Sequence, residues 1–243
     1  MKDFLLDIVA HTQALGCIET IKVVGEKDST IIEAVSDDKS VVLHANFKQP
    51  NTDFFGTFGM PNLGKLNTIL NIPEYKENAK IELTTQDRNS VTTPVGLHFE
   101  NANGDFKNDY RFMIADIINE KIKSVKFKGA NWNVEFEPTQ AALQRFKFQA
   151  SANSEEKQFI AKTENGDLKF YFGDHSTHAG NFVFQAGVTG KLTKEWNWPI
   201  TLVLSILSLQ GDKVMRISDE GATEITVDSG LIEYKYIIPA QVK

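Results

Sequence analysis

"NDYRFMIAD" (Asn108 to Asp116) and "IEYKYIIPA" (Ile232 to Ala240) are two versions of one phrase in a chain of 243 residues. Each runs acid or amide, Tyr, base, aromatic, then apolar residues ending on Ile114 or Ile238. One copy lies near the middle of the chain and the other near its end. That placement raises the question of whether everything upstream is also duplicated.

The helical segments answer it. Leu5 and Ile8 match Leu143 and Phe146 at an offset of 138 residues, and Leu66, Ile69 and Leu70 match Val203, Ile206 and Leu207 at 137. The strand-like runs from Ile81 and Met215 come 134 apart, and Tyr110 and Tyr234 come 124 apart. The order in each half is helix, strands, helix, strands, closing strand. The expected domains are therefore residues 1–115 and 126–243, joined by a linker over 116–125, "DIINEKIKSV".

Alternation supplies the strands, because side chains of an extended segment point to opposite faces in turn. "SVVLHANF" (Ser40 to Phe47), "AKIEL" (Ala79 to Leu83), "VGLHF" (Val95 to Phe99), "LKFYF" (Leu168 to Phe172), "NFVFQA" (Asn181 to Ala186) and "TEITV" (Thr223 to Val227) read as strands. Asn103-Gly104, Asn165-Gly166 and Gln210-Gly211 are hairpin signals. Four segments instead carry helical spacing. Leu5, Ile8 and Thr12 share a face. Leu63, Leu66, Ile69 and Leu70 do the same between Pro61 and Pro73. From Pro138 and Thr139, a helix puts Leu143, Phe146 and Ala150 inward. Another starts with Asn197 as N-cap and Pro199 in its first turn, burying Ile200, Val203, Leu204 and Leu207. The fold class is α+β, mostly antiparallel.

Hydrophobic residues make up 41% of the chain and charged ones 24%, enough apolar surface for a sizeable core. Acids lodged in the apolar part of "MKDFLLDIVAHTQALG" argue against a signal peptide. A single cysteine, Cys17, excludes an internal disulfide and reads as a small buried residue. These features lead us to expect a cytoplasmic protein with no membrane partner. The net charge of −6 rules out a protein that grips nucleic acid over its whole surface, so any such contact is a local basic strip.

The duplicated plan, the length and the ending "EYKYIIPA" resemble a DNA sliding clamp of the two-domain kind seen in tailed phages and in PCNA. "DFFGTFGMPNLGKLNTILN" (Asp53 to Asn71) is similar to the strand-then-helix segment of phage clamps, and "FEPTQAALQRFKFQAS" (Phe136 to Ser151) to the opening helix of their second domain. The resemblance covers the whole chain. It implies a head-to-tail homotrimer with sheets outside and helices lining a pore for double-stranded DNA, held without base readout. It also implies a DNA polymerase and an ATP-dependent clamp loader as partners, and the host cell cytoplasm as location if the chain is phage-encoded.

Helix geometry then nominates Lys65, Arg145 and Lys147 as DNA-facing, with Lys191 and Lys194 at the pore rim. The first helix offers Asp3 and Asp7, and the last offers Thr201, Ser205 and Ser208, so neither adds positive charge. In the family the partner pocket lies between linker and C-terminal ending. By position this implies Tyr236, Ile237, Ile238 and Pro239, with Ile117 and Ile118 as an opposite wall.

No catalytic constellation emerges. "DHSTH" (Asp174 to His178) lacks a third metal ligand, and "GVTGKLT" (Gly187 to Thr193) has the wrong glycine spacing for a phosphate loop, with Leu192 where the hydroxyl belongs. His44 and His98 have no nucleophile partner, so no enzyme activity and no cofactor are expected. The alternative is a structural β-rich phage virion protein, from tail or baseplate, which leaves the matched helices unexplained.

Overall fold

Each half of the chain repeats one series of elements: a helix, four strands, a second helix, then strands that close the unit. A computed structural model of the chain describes residues 1–88, 91–123, 129–174 and 178–241. It forms two compact units, Met1–Lys126 with Ser229–Tyr234, and Phe127–Asp228 with Lys235–Lys243.

The first unit opens with α1 (Lys2–His11), then β1 (Ile21–Gly25), β2 (Thr30–Val35), β3 (Val42–Phe47) and β4 (Gly56–Met60). These strands form an antiparallel sheet in the order β4-β1-β2-β3. Next comes α2 (Leu63–Leu70), and then β5 (Lys80–Arg88), β6 (Val91–Glu100) and β7 (Lys107–Arg111), paired antiparallel in that order. The short helix α3 (Ala115–Lys121) follows.

The second unit holds β8 (Val134–Phe136), α4 (Gln140–Ala152), β9 (Gln158–Glu164), β10 (Asp167–Phe172), β11 (Gly180–Gln185) and β12 (Asn197–Pro199). It is completed by α5 (Ile200–Leu207), β13 (Asp212–Ser218), β14 (Ala222–Asp228) and β15 (Ile232–Pro239). Its sheet β12-β9-β10-β11 reproduces the order β4-β1-β2-β3 of the first unit, strand for strand. β15 is divided at Tyr234, its first residues belonging to the first unit and the rest to the second.

Local chemistry explains most boundaries. Asn62 takes the left-handed conformation at φ 51°, and its side chain accepts from the Lys65 N–H at 3.1 Å, capping α2. Thr139 caps α4 in the same way, accepting from Ala142 at 3.1 Å. Asn165 and Gly166, at φ 54° and 84°, make the two-residue turn between β9 and β10 that needs positive φ at both positions. The core of the second unit is aromatic. Alternation places Phe159, Phe170, Phe172, Phe182 and Phe184 on one sheet face, and Phe146 of α4 lies within 6.3 Å of all five rings.

Five details depart from expectation. Asn197 and Pro199 belong to a strand, because Trp198 pairs with Phe159 across β9, so α5 starts only at Ile200. Along α5 it is Ile206 that is buried, while Leu204 is half-exposed. Gln210-Gly211 joins α5 to β13 and is no hairpin. Cys17 is half-buried. Much of the expected linker is helical, as α3, with Ser124 and Val125 outside the described residues.

Candidate nucleic-acid and docking surfaces

Lys65 stands exposed on α2, directly above the Asn62 cap that fixes the first turn beneath it. Arg145 and Lys147 are exposed on α4 on either side of buried Phe146, as the helical period requires. The Arg145 guanidinium lies 5.4 Å from the centre of the Phe182 ring, a cation–π contact that ties it to β11. Phe148, one turn along from Arg145, is 69% exposed. Lys191 and Lys194 are exposed in the loop between β11 and β12. On α1 and α5, Asp3 and Thr201 are exposed and Ser205 is half-buried, and Ser208 just past the end of α5 is exposed, so no outward base stands at these positions.

The docking residues divide sharply by burial. Along β15, Ile232, Tyr234, Tyr236 and Ile238 are fully buried, while Glu233, Lys235 and Ile237 alternate half-buried and Pro239 is exposed. In the first unit, α3 buries Ile118 completely and leaves Ile117 53% exposed. Ile118 lies on Gly59 of β4, so closely that a Cβ there would come within 2.7 Å of its side chain. Gly59 and Met113 exchange both backbone hydrogen bonds, at 2.9 and 2.8 Å, which sets the entry to α3. Ile118, Tyr236 and Ile238 are therefore core side chains, and of the six docking candidates only Ile117, Ile237 and Pro239 reach the surface. The period-two alternation that makes β15 a strand gives Tyr236 and Ile238 to the interior, and one helical step does the same for Ile118.

This division has a measurable consequence. Tyr236→Ala is expected to cost about 3–5 kcal/mol, as for truncation of a large buried ring. Ile237→Ala, at a half-buried position, costs less than about 1.5 kcal/mol. Urea denaturation of the two variants reads the contrast, and equal losses would contradict the division.

Tyr110 is buried, and its hydroxyl donates to the Pro61 carbonyl, holding β7 against the start of α2. Burial pushes its phenol well above the usual tyrosine range.

Two polar clusters escape a reading by periodicity. In the first unit Asp7 Oδ2 accepts from Ser229 Oγ at 2.9 Å and from the Tyr234 hydroxyl at 2.8 Å. His11 Nδ1 lies 2.9 Å from the Asp7 carbonyl oxygen and 3.3 Å from Oδ1, and its ring stacks on Tyr234 at 4.5 Å. Burial alone would raise the Asp7 carboxyl, but the hydrogen bonds from His11, Tyr234 and Ser229 and the His11 charge hold it below the usual carboxylate range. The spacing of Asp7 and His11 on α1 was the available signal. In the second unit Asp219 collects donors from Thr193 and Lys194, 26 and 25 residues away, a separation that leaves no periodic trace.

"DHSTH" lies partly outside the described residues, at His175 to Thr177. Among the described residues, no group of three His, Cys, Asp or Glu side chains could hold a metal ion. No described helix is long and apolar enough to cross a membrane.

Two units of one design, each with two helices in matching positions and a four-stranded antiparallel sheet in matching order, define the fold. Solved structures of PCNA proteins share this fold. A PCNA of A. fulgidus, bound to the C-terminal region of FEN-1, superposes with a TM-score of 0.69 at 12% identity, covering 100% of this chain and 95% of that one. A PCNA of Thermococcus kodakaraensis gives 0.69 at 11% identity, covering 99% and 97%. The PCNA2–PCNA3 complex of Sulfolobus tokodaii gives 0.66 at 11%, covering 98% and 96%. At such identity the likeness is one of fold. No family model matches the sequence, and neither does any curated protein.

Proposed function

We propose that this chain is a DNA sliding clamp. It acts as a non-catalytic, ring-shaped processivity factor that encircles duplex DNA and tethers a replicative DNA polymerase to its template. The observation that carries this reading is the extent of the structural match, which takes in 100% of this chain and 95% of its counterpart, both units included.

In this reading three copies assemble head to tail. Such an interface is heterologous and closes by rotation, and it protects the sheet-end strands β7 and β11, each paired on one side within its own unit. The DNA-facing residues are Lys65, Arg145, Lys147, Lys191 and Lys194. Few, exposed cations on an otherwise acidic chain suit weak, salt-sensitive phosphate contacts that allow sliding. Partner segments dock on Ile117, and on Ile237 with Pro239. An ATP-dependent clamp loader places the ring on DNA, and the chain works in the cytoplasm, that of the host cell if it is phage-encoded.

The test is native mass together with primer extension by the cognate polymerase, with its loader present. A trimer that lengthens the products is expected. A stable monomer that leaves synthesis unchanged would overturn the reading.

A further inference from the structure

We propose that Asp219 is a positioning residue, one that sets the loop bearing Lys191 and Lys194 for contact with DNA phosphates without touching DNA itself. This role rests on the sliding-clamp reading. At first sight the carboxylate is out of place, since it stands beside two lysines whose task is to attract an anion. Electrostatics alone would remove it.

The geometry resolves the conflict, because this carboxylate is spent on the loop backbone. The Thr193 N–H donates to both oxygens at 3.0 Å, and Thr193 Oγ1 donates to Oδ2 at 2.6 Å. The Lys194 N–H donates to Oδ1 at 3.2 Å. Asp219 is itself held at both backbone groups, its N–H by Asn133 Oδ1 at 2.8 Å and its carbonyl by Trp196 Nε1 at 2.9 Å.

The loop is pinned from two other sides. Buried Leu192 donates its N–H to Thr163 Oγ1 at 2.9 Å. Gly190, at φ 102°, presses so near the Asn133 carbonyl that a Cβ would lie 1.8 Å from its oxygen. With Leu192 turned inward and the backbone of Thr193 and Lys194 fixed, the exposed side chains of Lys191 and Lys194 start from set positions. Less freedom is then given up when they meet a phosphate.

Asp219→Asn and Asp219→Ala separate position from charge. Both remove one negative charge, but only Asn keeps a side-chain oxygen for the loop N–H groups. The measurement is fluorescence anisotropy of a short mixed-sequence duplex against salt, using the full chain. If charge alone matters, both variants bind more tightly than the parent and to the same extent. The positioning role predicts that the Ala variant binds about threefold or more weakly than the Asn variant. Its log K against log salt is also shallower, by about 0.9 for each phosphate that it no longer neutralises.

The gap closes when Lys191 and Lys194 are both Ala, whereas any loss of stability from Asp219→Ala persists there. Thr193→Val, which deletes the 2.6 Å donor at constant charge, shifts binding the same way if Asp219→Ala does not fold. Equal binding by the Asn and Ala variants, or a gap that survives without the lysines, overturns the proposal. If the double lysine variant binds DNA as the parent does, this loop makes no DNA contact. The proposal then falls while trimer mass and primer extension still judge the clamp reading.

Discussion

Phe146→Ala is expected to remove about 3–5 kcal/mol from the stability of the second unit, the usual cost of truncating a fully buried ring. Phe146 is 0% exposed and is the one residue of α4 whose ring meets Phe159, Phe170, Phe172, Phe182 and Phe184 together. These five come from three strands of one sheet, so no single neighbour can relax to fill the space. Phe146→Leu should cost less, about 1–2 kcal/mol, because it keeps much of the volume. The second unit holds all three tryptophans, Trp132, Trp196 and Trp198, so urea denaturation followed by tryptophan fluorescence reads it selectively. A loss below about 1 kcal/mol for Phe146→Ala would show that the cluster is not one cooperative core. The same variant should lose the orientation of Arg145 and Lys147, which flank Phe146 on the exposed side.

Asp7→Ala is expected to cost about 2–4 kcal/mol, since buried Tyr234 and His11 both lose this carboxylate as a partner. The effect should depend on pH. The folded carboxyl lies below its ordinary value of 3.8, so its contribution is fully present above that value and is lost as pH falls through the folded value. Circular dichroism of parent and variant in urea should show a gap that narrows below about pH 4. A gap that does not change with pH would mean that the ionised carboxylate contributes nothing.

Both predictions concern residues whose burial was partly legible in advance. Phe146 falls on the inward stripe of a helix with Leu143, and the five phenylalanines fall at every second position of their strands. Tyr234 was legible as the twin of Tyr110, yet the two are held differently. Tyr110 donates to a backbone carbonyl at the start of α2, and Tyr234 to a side chain on α1. Periodicity specifies a face, and it is blind to which polar group waits there. For the same reason the alternation of β15 groups Tyr234, Tyr236 and Ile238 on one face without saying which face is core. An alternating strand can show a partner only one of its faces when the other is core.

Sequence by itself determined the duplication, the helical and extended segments, most of the core and the positions of the exposed bases. All of these follow from patterns repeating over 2 or 3.6 residues, or from two halves compared at a nearly constant offset. Tertiary structure decided what depends on meetings between distant residues. Trp198 is drawn into a strand by Phe159, Ile118 is seated on a glycine nearly sixty residues earlier, and Asp219 reaches back to Thr193 and Lys194. Such meetings are fixed by how elements pack, and packing leaves no periodic mark on the chain.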